Sequence, residues 1–403
     1  GDQQYLTELK RLGLTFAVRP MPEETSVDSN IEVKGEGDRF FTKHFEFSNS
    51  QAVSRGFVME ASQVFEGTHE AVKSLPLGLE IAPPGDSSYF KTRFLTQSEF
   101  RKLLENDTIH GKQKDVAGIY IMKQKTVFVP YEQLGVQRNG SQLTLRKGSD
   151  TSTLIHEITH QLMHDWLALM PLWLAEGTAE YMASVPYQNG RFEFRNAEKG
   201  LIDRLIKRGA TSGAEMLLPS PEEFLVMKPG GWRGRNEDYA SALTYVYFFM
   251  HLDRPEAQGA PLAAYIRLLG EARDETHQLI TEYNGAVKDY NSMIENYNSS
   301  VVSFKKKFEL FQESAEAYNE RVVVYNSQVK KGVEPRQRVK VGKQPSAPAV
   351  PKPPKVPDIL ENNRLDGPID IFAAANQRAI PSLLRGRDFE ELKRYGRGLP
   401  EGR

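Results

Sequence analysis

Cysteine is absent from the 403 residues, which excludes disulfide bridges and thiolate metal ligands and leaves the compartment open. No apolar stretch reaches the roughly 18 residues that a bilayer-spanning helix needs. Neither charge sign dominates: 52 Lys and Arg face 53 Asp and Glu, and the sequence pI is about 6.8. The chain as a whole therefore carries no field that would draw it to nucleic acid or to an acidic membrane. Histidine is scarce, with eight in all. What remains is ordinary for a folded protein, 39% hydrophobic and 26% charged residues, in a chain long enough for two or three structural units.

Two of the eight histidines fall four apart in LIHEITHQLMH. On an α-helix, His156 and His160 stand one turn above each other and both reach a single ion at about 2.0 to 2.1 Å. Glu157 lies one residue round from the first of them, poorly placed as a ligand and well placed to hold water beside the metal. It is the candidate general base. A catalytic zinc usually takes a third protein ligand and keeps its fourth position for water. Pro171 is expected to stop the first helix, after which LWLAEGTAEYMAS reads as a second, amphipathic helix. Glu176 and Glu180 stand one turn apart on it. One is the third ligand, the other accepts the remaining ring N–H of a ligating histidine; helical spacing alone permits either assignment.

HEITHQL followed by PLWLAEGTAEY resembles the gluzincin metallopeptidases, in which HExxH on one helix is completed by a glutamate on the next. It is most similar to the bacterial peptidase MA-like family, whose pattern is HE-x-x-H-Q-L and then P-x-W-L-x-E-G-x-A-E-Y. The likeness covers residues 45 to 251 and is sharpest from Thr153 to Ser184. The resemblance implies that His156, His160 and Glu176 hold one Zn2+ per chain, that Glu157 is the base and that Glu180 orients a ligand. It also implies a peptide or protein substrate and, from family habit, an exported protein. A chain beginning Gly-Asp is compatible with a removed export signal; the cytoplasm is not excluded. No exopeptidase signal of the GxMEN kind is present, so an endopeptidase is the expected activity. The rival reading is a catalytically inactive metallopeptidase-fold scaffold.

Relatives supply a tyrosine or histidine downstream of the third ligand to steady the oxyanion. Tyr239, at the start of the helix NEDYASALTYVYFFMHL, is the candidate here, with Tyr245 and Tyr247 on the same helix. His164 continues the stripe of His156 and His160, but two helical turns place it about 12 Å along the axis, too far to share the ion. No glycine breaks the helix at 161 to 163. Upstream, AGIYIMKQKTVFVP reads as a hairpin, and Gly118 to Met122 is its candidate substrate-pairing edge.

The expected architecture is α+β, a gluzincin-like catalytic unit of mixed sheet and active-site helix followed by a helical subdomain, with a long coiled-coil insertion. Residues 1–38 form a lead-in with an apolar patch at LGLTFAV. Residues 39–150 form an α+β subdomain with strands at HFEF, LGLEIAP and FKTRFL and helices over 51 to 74 and at SEFRKLL. Residues 151–272 hold the zinc-site helices. In 273–331, Tyr283, Tyr290, Tyr297, Phe304, Phe311, Tyr318 and Tyr325 recur every seven residues, with Val287, Ile294, Val301, Phe308, Ala315, Val322 and Val329 four beyond each. That heptad specifies a helix needing a partner along its seam. The partner is a second copy, another protein or the same helix folded back at Asn298 to Ser300. Residues 332–357 are a basic, proline-rich linker. Residues 358–403 return to amphipathic helix that docks on the catalytic unit.

Overall fold

A computed structural model of the chain describes residues 20–35, 38–105, 118–134, 136–139, 142–145, 150–209, 219–227, 231–362 and 371–391. The apolar patch at 12–18 lies outside them. The chain divides into two compact units, Gly1–Arg273 with Asp370–Arg403, and Asp274–Ile369.

The first unit is mixed α+β. Its short strand β1 is Thr25–Ser26, and its main sheet uses β2 (Arg39–Phe41), β3 (Phe45–Asn49), β4 (Phe90–Leu95), β5 (Ile119–Ile121) and β6 (Thr126–Pro130) in the order β2-β3-β4-β6-β5. The pairs β3/β4 and β4/β6 are parallel, while β2/β3 and β5/β6 are antiparallel. A parallel pair needs a long crossover. Helix α1 (Arg55–Ser74) supplies it, starting where Ser54 Oγ accepts from the Phe57 amide at 3.0 Å. The helix begins four residues later than expected because Val53 is held in a bridge to Leu143. Its face of Phe57, Ala61, Phe65 and Val72 is buried on the sheet, with Phe65 edge-on to Phe45 at 5.2 Å and to Phe47 at 5.0 Å. Each such phenylalanine contributes about 1.5 to 3 kcal/mol of burial.

LGLEIAP is not a strand. Pro76, Pro83 and Pro84 flank it and Gly78 has φ +66°, so no ladder forms; Leu79 and Ile81 still pack against the core as coil. Helix α2 (Gln97–Glu105) follows β4 directly. The expected hairpin is β5 and β6, turned at Lys125 in left-handed conformation (φ 52°), with β5 at the sheet edge. A second antiparallel pair, β7 (Val136–Asn139) with β8 (Gln142–Leu145), precedes the helices that carry the histidines and glutamates.

Helix α3 (Ser152–Leu162) carries the HExxH run. It ends well before Pro171, against expectation. Met163, fully buried, caps it, and the Trp166 and Leu167 amides bond back to the Met163 carbonyl to open a new turn, α4 (His164–Leu167). Burial of Met163 and Trp166 breaks the helix without a glycine. Helix α5 (Leu172–Ser184) starts at Pro171. A tight pair, β9 (Tyr187–Gln188) and β10 (Arg191–Phe192), then joins β1 in a small sheet that sequence patterning does not reveal. Helices α6 (Ala197–Lys207), α7 (Pro221–Leu225) and α8 (Asn236–Tyr247) follow, then α9 (Ala260–Lys330), α10 (Asp358–Asn362) and α11 (Ile371–Leu384). Helix α11 buries Ala375, Ala379 and Leu383 in the core of the first unit, and Asn376 hydrogen-bonds Tyr265.

The second unit contains most of α9, a helix of 71 residues. No turn occurs at Asn298 to Ser300. The hydroxyls of Ser299 and Ser300 instead donate to the carbonyls of Glu295 and Asn296 at 3.0 and 2.9 Å, so the residues expected to reverse the chain bond within the helix. The reversal comes at Gly332 (φ +71°), where the Val333 and Gly332 amides bond the carbonyls of Gln328 and Val329, a Schellman termination. Residues 338–357 then run without helix or strand.

Candidate metal centre

The packing of α3 against α5 puts the histidines opposite the glutamates. Gly177 sets how α5 meets α8: a Cβ there would stand 2.5 Å from the Ala242 carbonyl oxygen and 2.6 Å from Val246 Cγ2. From the other side, Gln161, fully buried, donates from Nε2 to the Lys91 carbonyl on β4 at 2.6 Å, tying α3 to the middle of the sheet.

His156 Nε2 and His160 Nε2 are 3.0 Å apart, and Glu176 Oε2 lies 3.3 Å from each. Three ligands at 2.0 to 2.1 Å around a tetrahedral ion have their donor atoms about 3.3 Å apart. The three residues thus fit zinc without rearrangement, and imidazole and carboxylate are the donors zinc accepts in a chain without cysteine.

Glu180 Oε1 stands 3.0 Å from His156 Nδ1. The carboxylate is fully buried and clamped by two arginines. Arg204 donates from Nε and Nη2 at 2.8 and 2.9 Å, and Arg208 from Nη2 at 2.5 Å and Nε at 3.3 Å. The geometry therefore separates the two glutamates that spacing left interchangeable: Glu176 meets the two converging Nε2 atoms, Glu180 the Nδ1 of His156. The arginines escape sequence reading. Their signal is the i, i+4 pair on α6 and its end, which acquires meaning only once Glu180 is known to be buried.

Charge is tightly balanced here. Burial disfavours a charged imidazole, yet Glu176 and Glu180 outweigh it and push His156 up to about 10. Burial likewise opposes ionised Glu176 and Glu180. His160 and His156 hold Glu176 far below the usual carboxylate range, and His156 with Arg204 does the same for Glu180.

Glu157 differs from both. Burial raises its pKa despite the neighbouring His156 and His160, and its Oε2 accepts from the Tyr120 amide of edge strand β5 at 2.9 Å. Gly118 lies against it, a Cβ there standing in ordinary contact with Glu157 Cγ at 3.4 Å. Glu157 sits between α3 and the sheet edge, bordered by β5.

Tyr239 has its ring 6.3 Å from that of His156, with the Arg208 guanidinium over its face at 4.5 Å. Burial raises its pKa. Tyr245 donates to the Pro219 carbonyl at 2.7 Å, and Tyr247 stacks on His251 at 4.5 Å. Those two are packing residues. His164 stands apart from the ligand group, and its Nδ1 lies 2.5 Å from the Tyr120 hydroxyl.

A second group, His44, Glu66 and His69, is also close enough to suggest an ion. Its geometry says otherwise. Glu66 is occupied: Thr42 Oγ1 and the His44 amide donate to Oε1 at 2.6 and 2.9 Å, and His44 Nδ1 lies 2.6 Å from Oε2. His69 stacks on His44 with centroids 3.8 Å apart and planes within 15°. Imidazole lone pairs lie in the ring plane, so two parallel stacked rings do not aim at one ion.

The sequence matches no known family profile and no curated protein.

Proposed function

We propose that the chain is a zinc-dependent peptidase of gluzincin type, acting on internal bonds of peptide or protein substrates. The observation that carries this reading is the convergence of His156 Nε2, His160 Nε2 and Glu176 Oε2 to within 3.0 to 3.3 Å, with an unligated, pKa-raised Glu157 beside them. One zinc ion held there would supply Lewis-acid polarisation of the scissile carbonyl and a water of pKa near 7.

The chain's own groups supply the rest. Glu157 takes the proton from the attacking water and passes it to the leaving amine, a role suited to a carboxylate whose proton affinity burial has raised. The N–H of Tyr120 keeps that carboxylate against the cleft wall. Glu180 fixes the ring of His156 and is itself held by Arg204 and Arg208. Tyr239, with its hydroxyl kept protonated by burial, donates to the developing oxyanion. No helix among the described residues is long and apolar enough to cross a membrane; export of the protein is part of the proposal.

The test is a Glu157→Gln protein assayed on denatured proteins and peptide libraries with and without chelator. Zinc retained with kcat lowered roughly 10²- to 10⁴-fold is the expected result. Wild-type protein without chelator-sensitive cleavage would favour the inactive scaffold. A variant as fast as wild type would remove Glu157 as base.

A further inference from the structure

The seam of α9 has a partner within its own chain. From Tyr283 onward the half-buried residues of the helix fall mainly on the heptad positions, from Tyr283 and Val287 through to Val322 and Tyr325. In the extended stretch the prolines recur every third residue, at 345, 348, 351, 354 and 357, and these five are half-buried while the residues between them are exposed. Three residues per turn is the period of polyproline II.

Specific contacts tie the two periodicities together. The Arg338 guanidinium lies 5.9 Å from the Tyr325 ring centroid, the Val339 amide donates to Gln328 Oε1 at 2.8 Å, and Arg321 Nε donates to the Val341 carbonyl at 3.2 Å. Further along, Pro348, Pro351 and Pro354 face Tyr297, Ser300 and Phe304 across a shared groove. The distances agree. From Val341 to Pro351 a polyproline helix advances about 31 Å at 3.1 Å per residue, and from Arg321 back to Ser300 an α-helix covers about 31 Å at 1.5 Å per residue. Rings at every seventh helical position stand about 10.5 Å apart and prolines at every third about 9.3 Å, a difference of about 1.2 Å per step that keeps the two repeats near register over the three prolines of the groove. Aromatic-lined grooves are the usual receptors for such segments. Aromatic residues at the first heptad position also depart from the β-branched residues that favour paired helices.

We propose that the tyrosine seam of α9 is a polyproline-binding surface, that residues 338–357 are its resident ligand, and that this occupancy keeps a second copy of the chain off the seam. The turn at Gly332 makes the pairing intramolecular, with an effective concentration in the millimolar range for so short a connection. A second copy at micromolar concentration does not compete. The seam so occupied is the heptad seam a coiled coil would use: all seven of its aromatic positions from Tyr283 to Tyr325 are half-buried, and only Phe308 and Val329 of the positions four beyond them are exposed.

Sedimentation of the full chain tests this. Wild type is expected to be monomeric at about 10 micromolar, and the P345S/P348S/P351S/P354S variant to dimerise. A synthetic peptide of residues 338–357 in excess should return the variant to monomer, and a peptide of the same composition with its prolines off the three-residue spacing should not. A proline variant that stays monomeric, whether or not its arm remains helical, overturns the proposal, as does a wild type that already dimerises through the seam. As an independent measure, Y297S/F304S should free the segment backbone so that trypsin cuts after Lys343 and Lys355 at least tenfold faster than in wild type. Equal cleavage rates would show that the segment is not held by the rings.

Discussion

Glu180 reaches His156 Nδ1 at 3.0 Å while Arg204 grips the same carboxylate with two hydrogen bonds, so one buried anion links a candidate metal ligand to a cation on a different helix. Such an anion is stable only while its partners remain.

Arg204→Met is therefore expected to destabilise the fold by about 1.5 to 3 kcal/mol, since the carboxylate loses its hydrogen bonds from Arg204 while Arg208 and His156 still face it. Thermal or denaturant unfolding measures it. Glu180→Gln should be milder, and should weaken metal affinity about 10- to 100-fold through the freed imidazole. Equal stability losses in both variants would argue against the clamp.

Metal content should distinguish the two histidine groups. Elemental analysis of protein saturated with zinc and then desalted is expected to find one ion per chain. His160→Ala or Glu176→Ala should lose it, and His44→Ala/His69→Ala should retain it. Two ions in wild type, one of them lost with His44 and His69, would contradict the stacked-ring reading of that group.

Gly177→Ala introduces a methyl 2.5 Å from the Ala242 carbonyl oxygen. Backbone does not yield as a side-chain tip does, so α5 must shift away from α8. A loss of about 1 to 3 kcal/mol is expected, although alanine is the better helix former by about 1 kcal/mol. An unchanged midpoint in urea would show that the two helices separate freely.

Acid should weaken the first unit through His69, which burial, helped by the His44 charge, pushes down to about 4. With the folded value below the unfolded value of about 6.5, the unfolded chain binds the proton first, so stability falls as pH drops from about 6.5 to about 4, by on the order of 3 kcal/mol. His69→Gln should flatten that part of the stability curve. A slope unchanged by the substitution would assign the acid sensitivity elsewhere, His251 being the next histidine lowered to about 4 by burial.

Periodicity and spacing made much of this legible. Histidines four apart on one helix, a carboxylate on the next, the hairpin before them and the seven-residue repeat are all local patterns, and local patterns survive in a sequence. What depends on contacts between distant segments did not. LGLEIAP alternates like a strand, yet it finds no ladder partner among the described residues. Met163 ends a helix because its side chain and that of Trp166 are drawn into the core, which no glycine or proline announces. The two arginines around Glu180 look like an ordinary solvated pair. The proline repeat was visible as composition, while its match to the tyrosine repeat required seeing the chain reverse at Gly332.

The tie from Gln161 to the Lys91 carbonyl moors the histidine-bearing helix broadside to the parallel core of the sheet. The placement of the two imidazoles is therefore inherited from the β-layer beneath as well as from the helix that carries them.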